Sequence, residues 1–379
     1  DNNSQVILMG KPSGSRNAKN YYAQYEKHRG IVLSALEEMR NKFDLLIIEG
    51  AGSPAEINLK KTDLVNMFIA EKAKAPVLLV GDIDRGGVFA WMKGTYDLLS
   101  KNEQARIMGF IINKFRGDVD LLQPGIEQFQ DMVNKPVFGV VPYSKDIVID
   151  EEDSIPQTSY SAEINAQGIL NVVVIQLPRI SNFTDLSPLA YDPSISIRYV
   201  QHPSQIGDPD LIILPGSKNT VGDMNILNKN LLSREILKCH QAGSMILGIC
   251  GGFQMLGKKI CDPENLESSE KEVEGLGLFD FHTTLMPDKL TRQIQLKTVN
   301  SRVFPEGIHC EGYEIHMGRT IFANKYPTLF SAPNEDNPMN FGIINQEGTV
   351  IGTYLHGFLD QNLFRQNILT YLRNAKGIP

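Results

Sequence analysis

Met245-Ile246-Leu247-Gly248-Ile249-Cys250-Gly251-Gly252-Phe253-Gln254-Met255-Leu256-Gly257 is the stretch on which the reading of this chain turns. An apolar run ends at a cysteine, and two glycines carry the backbone into a second apolar run of helical type. The pattern is that of a nucleophile elbow with sulfur in place of oxygen. Glycine permits the sharp turn where a Cβ would clash. The turn lifts the side chain out of the sheet and aims it at the start of a helix. A helix N-terminus favours thiolate over thiol, as a cysteine nucleophile requires. An isolated cysteine ending a core strand would be read as a buried thiol. The flanking glycines and a histidine downstream argue otherwise.

That histidine is His356, in Thr349-Val350-Ile351-Gly352-Thr353-Tyr354-Leu355-His356-Gly357. Again an apolar, β-rich run ends on a reactive residue followed by glycine. A histidine held near a cysteine can take its proton and return it to a leaving amine. A third element, Ile212-Ile213-Leu214-Pro215-Gly216-Ser217-Lys218-Asn219, reads as a strand ending in a Pro-Gly turn. Backbone N–H groups in such a turn can serve a tetrahedral oxyanion.

The order of these three elements resembles class I glutamine amidotransferase domains, over residues 170–375. The resemblance implies that Cys250 cuts L-glutamine through a thioester and that His356 shuttles the proton. It also implies that N–H groups near Gly216 and Gly251 hold the oxyanion. The family's usual acid lies two residues after the histidine, and here that position is Phe358. The pattern therefore resembles the cobyric and cobyrinic acid synthase branch, which works with a cysteine–histidine dyad. Asp360 lies close by in sequence but is not expected to orient His356. Glu311-Gly312-Tyr313-Glu314-Ile315-His316-Met317-Gly318 resembles the same branch. Glu314 and His316 alternate on one strand face, placed either to contact glutamine or to stiffen the site.

With 379 residues the chain is long for one domain and comfortable for two. Its 42% hydrophobic and 21% charged residues are ordinary for a globular protein with a full core. A net charge of −7 argues against nucleic-acid binding and supplies no polybasic patch for a membrane. Four cysteines, Cys239, Cys250, Cys261 and Cys310, show neither a CxxC pair nor zinc-ligand spacing. That usage suits a reducing cytoplasm. No apolar run is long enough to span a bilayer, and no signal peptide opens the chain. The sequence leaves open whether the protein assembles as a homo-oligomer.

The first half alternates strands and helices, which implies a parallel sheet with crossover connections. Strands are expected at Gln5–Met9, Phe43–Glu49, Ala75–Gly81, Ile107–Asn113 and Pro136–Val141, with a helix over Asn20–Asn41. The segment from Ser144 to Gly168 breaks the pattern with the acidic run Asp150-Glu151-Glu152-Asp153 and then Pro156. The organisation read from this is a first domain over 1–150, a linker over 151–169 and a second α/β domain over 170–379. An amphipathic helix around Gln361–Arg373 closes the chain.

Polar residues stand at successive strand ends of the first half. Leu45-Leu46-Ile47-Ile48-Glu49-Gly50-Ala51-Gly52-Ser53-Pro54-Ala55-Glu56-Ile57-Asn58-Leu59 puts Glu49 at the carboxyl end of an apolar run. Ligands bind at that edge of an open α/β sheet. A carboxylate there suits Mg²⁺, which one or two carboxylates and phosphate oxygens commonly hold. Val80-Gly81-Asp82-Ile83-Asp84-Arg85-Gly86-Gly87 repeats the arrangement, and Asn113 ends a third strand with an amide suited to an adenine ring.

These motifs closely resemble the synthetase domain of cobyric acid synthases, a P-loop NTPase-like fold related to dethiobiotin synthetase. The resemblance implies Mg²⁺ at Glu49, adenine at Asn113, and phosphate or substrate near Asp82, Asp84 and Arg85. It implies ATP-driven amidation, with glutamine as nitrogen donor, of the b, d, e and g carboxylates of adenosylcobyrinic acid a,c-diamide. The alternatives are a cobyrinic acid a,c-diamide synthase, or a glutaminase or binding module without synthetase activity. No stretch fits the phosphate-binding loop G-x-x-x-x-G-K-[ST]. The expectation is that this loop lies in an N-terminal segment outside the chain, so that the synthetase domain here is incomplete.

Overall fold

The computed structural model describes residues 3–17, 23–144, 169–331 and 337–378. The expected linker, 151–169, lies almost wholly outside them. The chain divides into two compact units, Asp1–Ile149 and Asp150–Pro379.

The second unit is built on a six-stranded sheet. Its order is Gly342–Ile344, Val350–Thr353, Met245–Ile249, Leu211–Leu214, Leu170–Ile175 and Ile195–Val200. All neighbours are parallel except the first pair. Strands covered on both faces read as unbroken apolar runs, because neither side of the pleat meets water. Leu211–Leu214 and Met245–Ile249 are buried at every position. Alternate residues serve opposite layers. Val172, Ile213 and Leu247 pack toward the C-terminal helix Asn362–Ala375 through Phe364, Ile368 and Leu372. Val173, Ile212 and Ile246 pack toward the helices Thr220–Lys229 and Leu232–Gln241 through Val221, Met224 and Ile236. Two four-stranded sheets and a short antiparallel pair, Ile180–Ser181 with Gly216–Ser217, lie beside it among the described residues. One of the four-stranded sheets contains the long antiparallel pair Leu290–Thr298 and His309–His316, to whose edge the short strand Leu355–His356 adds.

The first unit carries a parallel three-stranded sheet of Val77–Asp82, Ile107–Phe115 and Val137–Pro142. The helices Val88–Leu98 and Val119–Val133 cover one face with Val88, Met92, Ile126 and Phe129. Leu78, Val80, Met108 and Phe138, which alternate with the covered positions, are exposed. Asn3–Leu8 and Lys11–Asn17 form a separate antiparallel pair, and Tyr25–Lys42 is a helix.

One expectation is corrected. Residues 43–50 are not a buried strand but an irregular, exposed segment, in which Ile47 is 91% exposed. A buried strand needs a neighbour to take its backbone groups and layers to cover its side chains. Among the described residues no strand pairs with this segment.

Candidate functional site

The elbow forms as its sequence predicts. Cys250 follows the central strand Met245–Ile249 and adopts φ +52° and ψ −107°, a region unfavourable for a residue with a Cβ. Such strain persists only where the surroundings over-determine it. Here the Cys250 N–H donates to the Thr353 carbonyl at 2.8 Å, and its carbonyl accepts from Gln254 N–H at 3.1 Å. Gly252 follows because the turn runs against the next strand, and a Cβ there would lie 1.9 Å from the Leu214 carbonyl oxygen. A Cβ on Gly251 would lie 2.9 Å from Ser217 N, which puts the Pro-Gly turn against the elbow. A Cβ on Gly216 would lie 3.7 Å from His356 Cε1, so the same turn also borders the histidine. Gly251 opens the helix Gly251–Met255, whose first N–H groups have no intrahelical acceptor.

His356 is 0% exposed. Its strand neighbour Tyr313 stacks on the imidazole at 5.2 Å between ring centres. Nδ1 lies 2.6 Å from Asp185 Oδ2, and the Gly357 N–H donates to Asp185 Oδ1 at 2.9 Å. Burial alone would lower the imidazole's pKa. The negative charge of a Cys250 thiolate, followed by the hydrogen bond and charge of Asp185, outweighs burial and pushes it up to about 10. Nε2 is buried without a partner at ordinary hydrogen-bond length, and the Cys250 side chain acts on it at longer range. The Cys250 thiol itself donates to the Ile315 carbonyl at 3.5 Å.

The structure thus brings Cys250, His356, Gly216 and Gly251 together. It also corrects the expectation of a histidine without an acidic partner. Phe358, at the usual acid position, is fully buried and packs edge-on against Phe364 at 5.2 Å. Asp360 is exposed. The acid comes instead from Asp185, on the short 3₁₀ turn Phe183–Leu186. No motif marks this residue in the sequence.

A cavity of about 200 Å³ opens at Cys250 and is lined by Gly251, Gln254, Glu267, Lys289 and His316. Glu267 and Lys289 were not singled out from the sequence either. Burial pushes the Glu267 carboxyl up to about 7 and lowers the Lys289 ammonium. Glu314 and His316 take different parts. Glu314 is buried and bound to Arg292 Nε at 2.7 Å, a stiffening contact across the strand pair. His316 lines the cavity and stacks on Tyr354 with ring centres 3.9 Å apart.

In the first unit Asp82 and Asn113 are register partners at the ends of adjacent strands. Asp82 binds Lys114 at 2.9 Å, and Asp84 binds Arg116 at 3.0 Å. Burial alone would raise the Asp82 carboxyl, but its hydrogen bonds to Lys114 and the Asp84 N–H hold it below the usual range. Arg85 is exposed beside them, and Glu49 lies exposed in the irregular segment 43–50. Lys114 and Arg116 pair with the two aspartates, and Glu49, the residue expected to hold Mg²⁺, stands exposed on its irregular segment, so these side chains form no Mg²⁺ site by themselves. Among the described residues no three His, Cys, Asp or Glu side chains converge as metal ligands. No helix among them is long and apolar enough to cross a membrane.

Residues 171–364 match the family model described as CobB/CobQ-like glutamine amidotransferase domain, and residues 15–150 match that of an AAA domain. The chain is 43% identical to cobyric acid synthase of Clostridium acetobutylicum over 378 residues, covering 100% of this chain and 75% of that protein. It is 44% identical to cobyric acid synthase of Dehalococcoides mccartyi over 384 residues, covering 100% and 76%. Its identity to cobyric acid synthase of Alkaliphilus metalliredigens is 42% over 389 residues, covering 100% and 76%. Among solved structures, PurLQS from Thermotoga maritima aligns over 54% of this chain and 99% of its own, with a TM-score of 0.43 and 21% identity. The family models give an AAA-type domain of the nucleotide-binding class, followed by a glutamine amidotransferase-like domain.

Proposed function

The chain belongs to the cobyric acid synthase family, and from that premise we propose that its second unit splits L-glutamine at Cys250 to supply ammonia for an amidation. His356 takes the Cys250 proton, and the thiolate attacks the side-chain amide carbon of glutamine. The N–H groups of Gly216 and Gly251 hold the oxygen that becomes negative. His356 returns the proton to the amide nitrogen, the C–N bond breaks, and ammonia leaves a γ-glutamyl thioester on Cys250. Water, deprotonated by His356, attacks the thioester and releases glutamate, and the proton returns to sulfur. The observation that carries this reading is the strained Cys250 elbow, with the buried imidazole of His356 and the Gly216 turn both at its side.

The acceptor is proposed to be adenosylcobyrinic acid a,c-diamide, amidated with ATP and Mg²⁺ at its b, d, e and g carboxylates. The names of the similar proteins favour this over the a,c-diamide synthase reaction. The dethiobiotin synthetase-like character of the first unit is part of the same proposal. There Asn113 would face adenine, Asp82, Asp84 and Arg85 the phosphates or substrate, and Glu49 the metal.

The test is Cys250→Ala. Glutamine hydrolysis should fall to background, while in the longer protein amidation driven by free ammonia persists. Hydrolysis near the wild-type rate would refute the assignment.

A further inference from the structure

We infer that Asp185 is the positioning acid of the Cys250–His356 pair, supplied from a turn 171 residues before the histidine. The inference rests on the glutaminase reading above and deepens it. A cysteine–histidine pair needs its imidazole in one tautomer, with the proton on the nitrogen that faces away from sulfur. Asp185 Oδ2 sits 2.6 Å from Nδ1 and holds a proton there, so Nε2 is the nitrogen left to exchange a proton with Cys250. The carboxylate cannot swing away, because the Gly357 N–H holds its other oxygen at 2.9 Å. The turn beneath it is closed by the Asp185 N–H donating to the Asn182 carbonyl at 3.0 Å. Both side chains are shut off from water, with exposures of 0% for His356 and 4% for Asp185. An imidazolium formed in such a place needs a nearby negative charge, and Asp185 supplies one.

A purely structural role would be to satisfy the Gly357 N–H. One carboxylate oxygen does that, and the other is spent on the ring. The two positions nearest the histidine in sequence do not serve, since Phe358 belongs to the core and Asp360 is exposed. The titratable groups that act on the His356 environment are Cys250, Asp185, Tyr313 and His316, with Asp360 beyond Tyr313.

Asp185→Asn keeps the shape and an acceptor for Gly357 but removes the charge. Glutamine hydrolysis should lose about 10³–10⁴-fold in kcat, the scale on which an orienting acid acts. KM should stay within a few-fold. Alkylation of Cys250 by iodoacetamide, followed on its own peptide by mass spectrometry, should need a pH higher by about 1 unit or more, because the thiolate–imidazolium pair loses its third charge. Asp185→Glu should recover part of the rate, and Asp360→Asn should match wild type within about tenfold. The inference is overturned if Asp185→Asn keeps kcat within about tenfold. It is also overturned if kcat and thermal stability fall together while the alkylation profile stays in place. Should Asp185→Asn not fold, Asp185→Ser, which also lacks the charge, decides on the same alkylation profile, and an unmoved profile overturns the inference. Failure of the underlying reading looks different, because wild-type protein would then release no ammonia from glutamine.

Discussion

His316 shows how a single side chain can couple the site to stability. Burial is the main cause that pushes its imidazole down to about 4, against an ordinary value of 6.5. Between those values the unfolded chain binds a proton that the folded chain refuses. Stability therefore rises with pH over that window and is lost as pH falls from about 6.5 through about 4. His356 has the opposite sign, because its raised value adds stability below the unfolded pKa that fades as pH climbs toward about 10. Denaturant titrations at a series of pH values should show the acid slope flattened in His316→Phe, which keeps a ring against Tyr354. An unchanged slope would mean that the buried Nδ1 of His316 is not the group being titrated.

Elements differ in how far their sequence foretold them. The strands Leu211–Leu214 and Met245–Ile249 were legible because each is apolar throughout, as burial on both faces demands. The elbow and the strand end at His356 were legible because each is local, a reactive residue set between an apolar run and glycine. Asp185 was not, because its role depends on a contact across 171 residues of chain, and its own neighbours are those of any short turn. Glu267 and Lys289 escaped for the same reason, since only the folded cavity shows them beside Cys250. The segment Phe43–Glu49 failed in the other direction. An apolar run states that it would be stable if covered, but not whether a neighbour is present to cover it. At Glu314 the sequence left two roles open, and the 2.7 Å contact with Arg292 favours stiffening.

At the scale of the molecule the two units stand in different states of completeness for their proposed chemistry. The second has its reactive pair, its acid and its cavity within one unit. The first has polar strand ends but no G-x-x-x-x-G-K-[ST] loop in its sequence. In P-loop sites the backbone N–H groups and lysine of that loop make most of the phosphate contacts. Calorimetric titration of this chain with Mg–ATP should accordingly give binding much weaker than micromolar, the level that corresponds to about −8 kcal/mol. Micromolar binding would mean that a different set of residues cradles the phosphates.

The central claim is that Cys250 is the group that attacks glutamine. Its most direct test is covalent capture with a γ-diazoketone analogue of glutamine, which traps a nucleophile where the amide carbon would sit. Peptide mass spectrometry should find one label per chain, on Cys250, with hydrolysis lost in proportion and glutamine protecting against both. Inactivation with the label on Cys239, Cys261 or Cys310, or an unlabelled Cys250 in inactivated protein, would contradict the account.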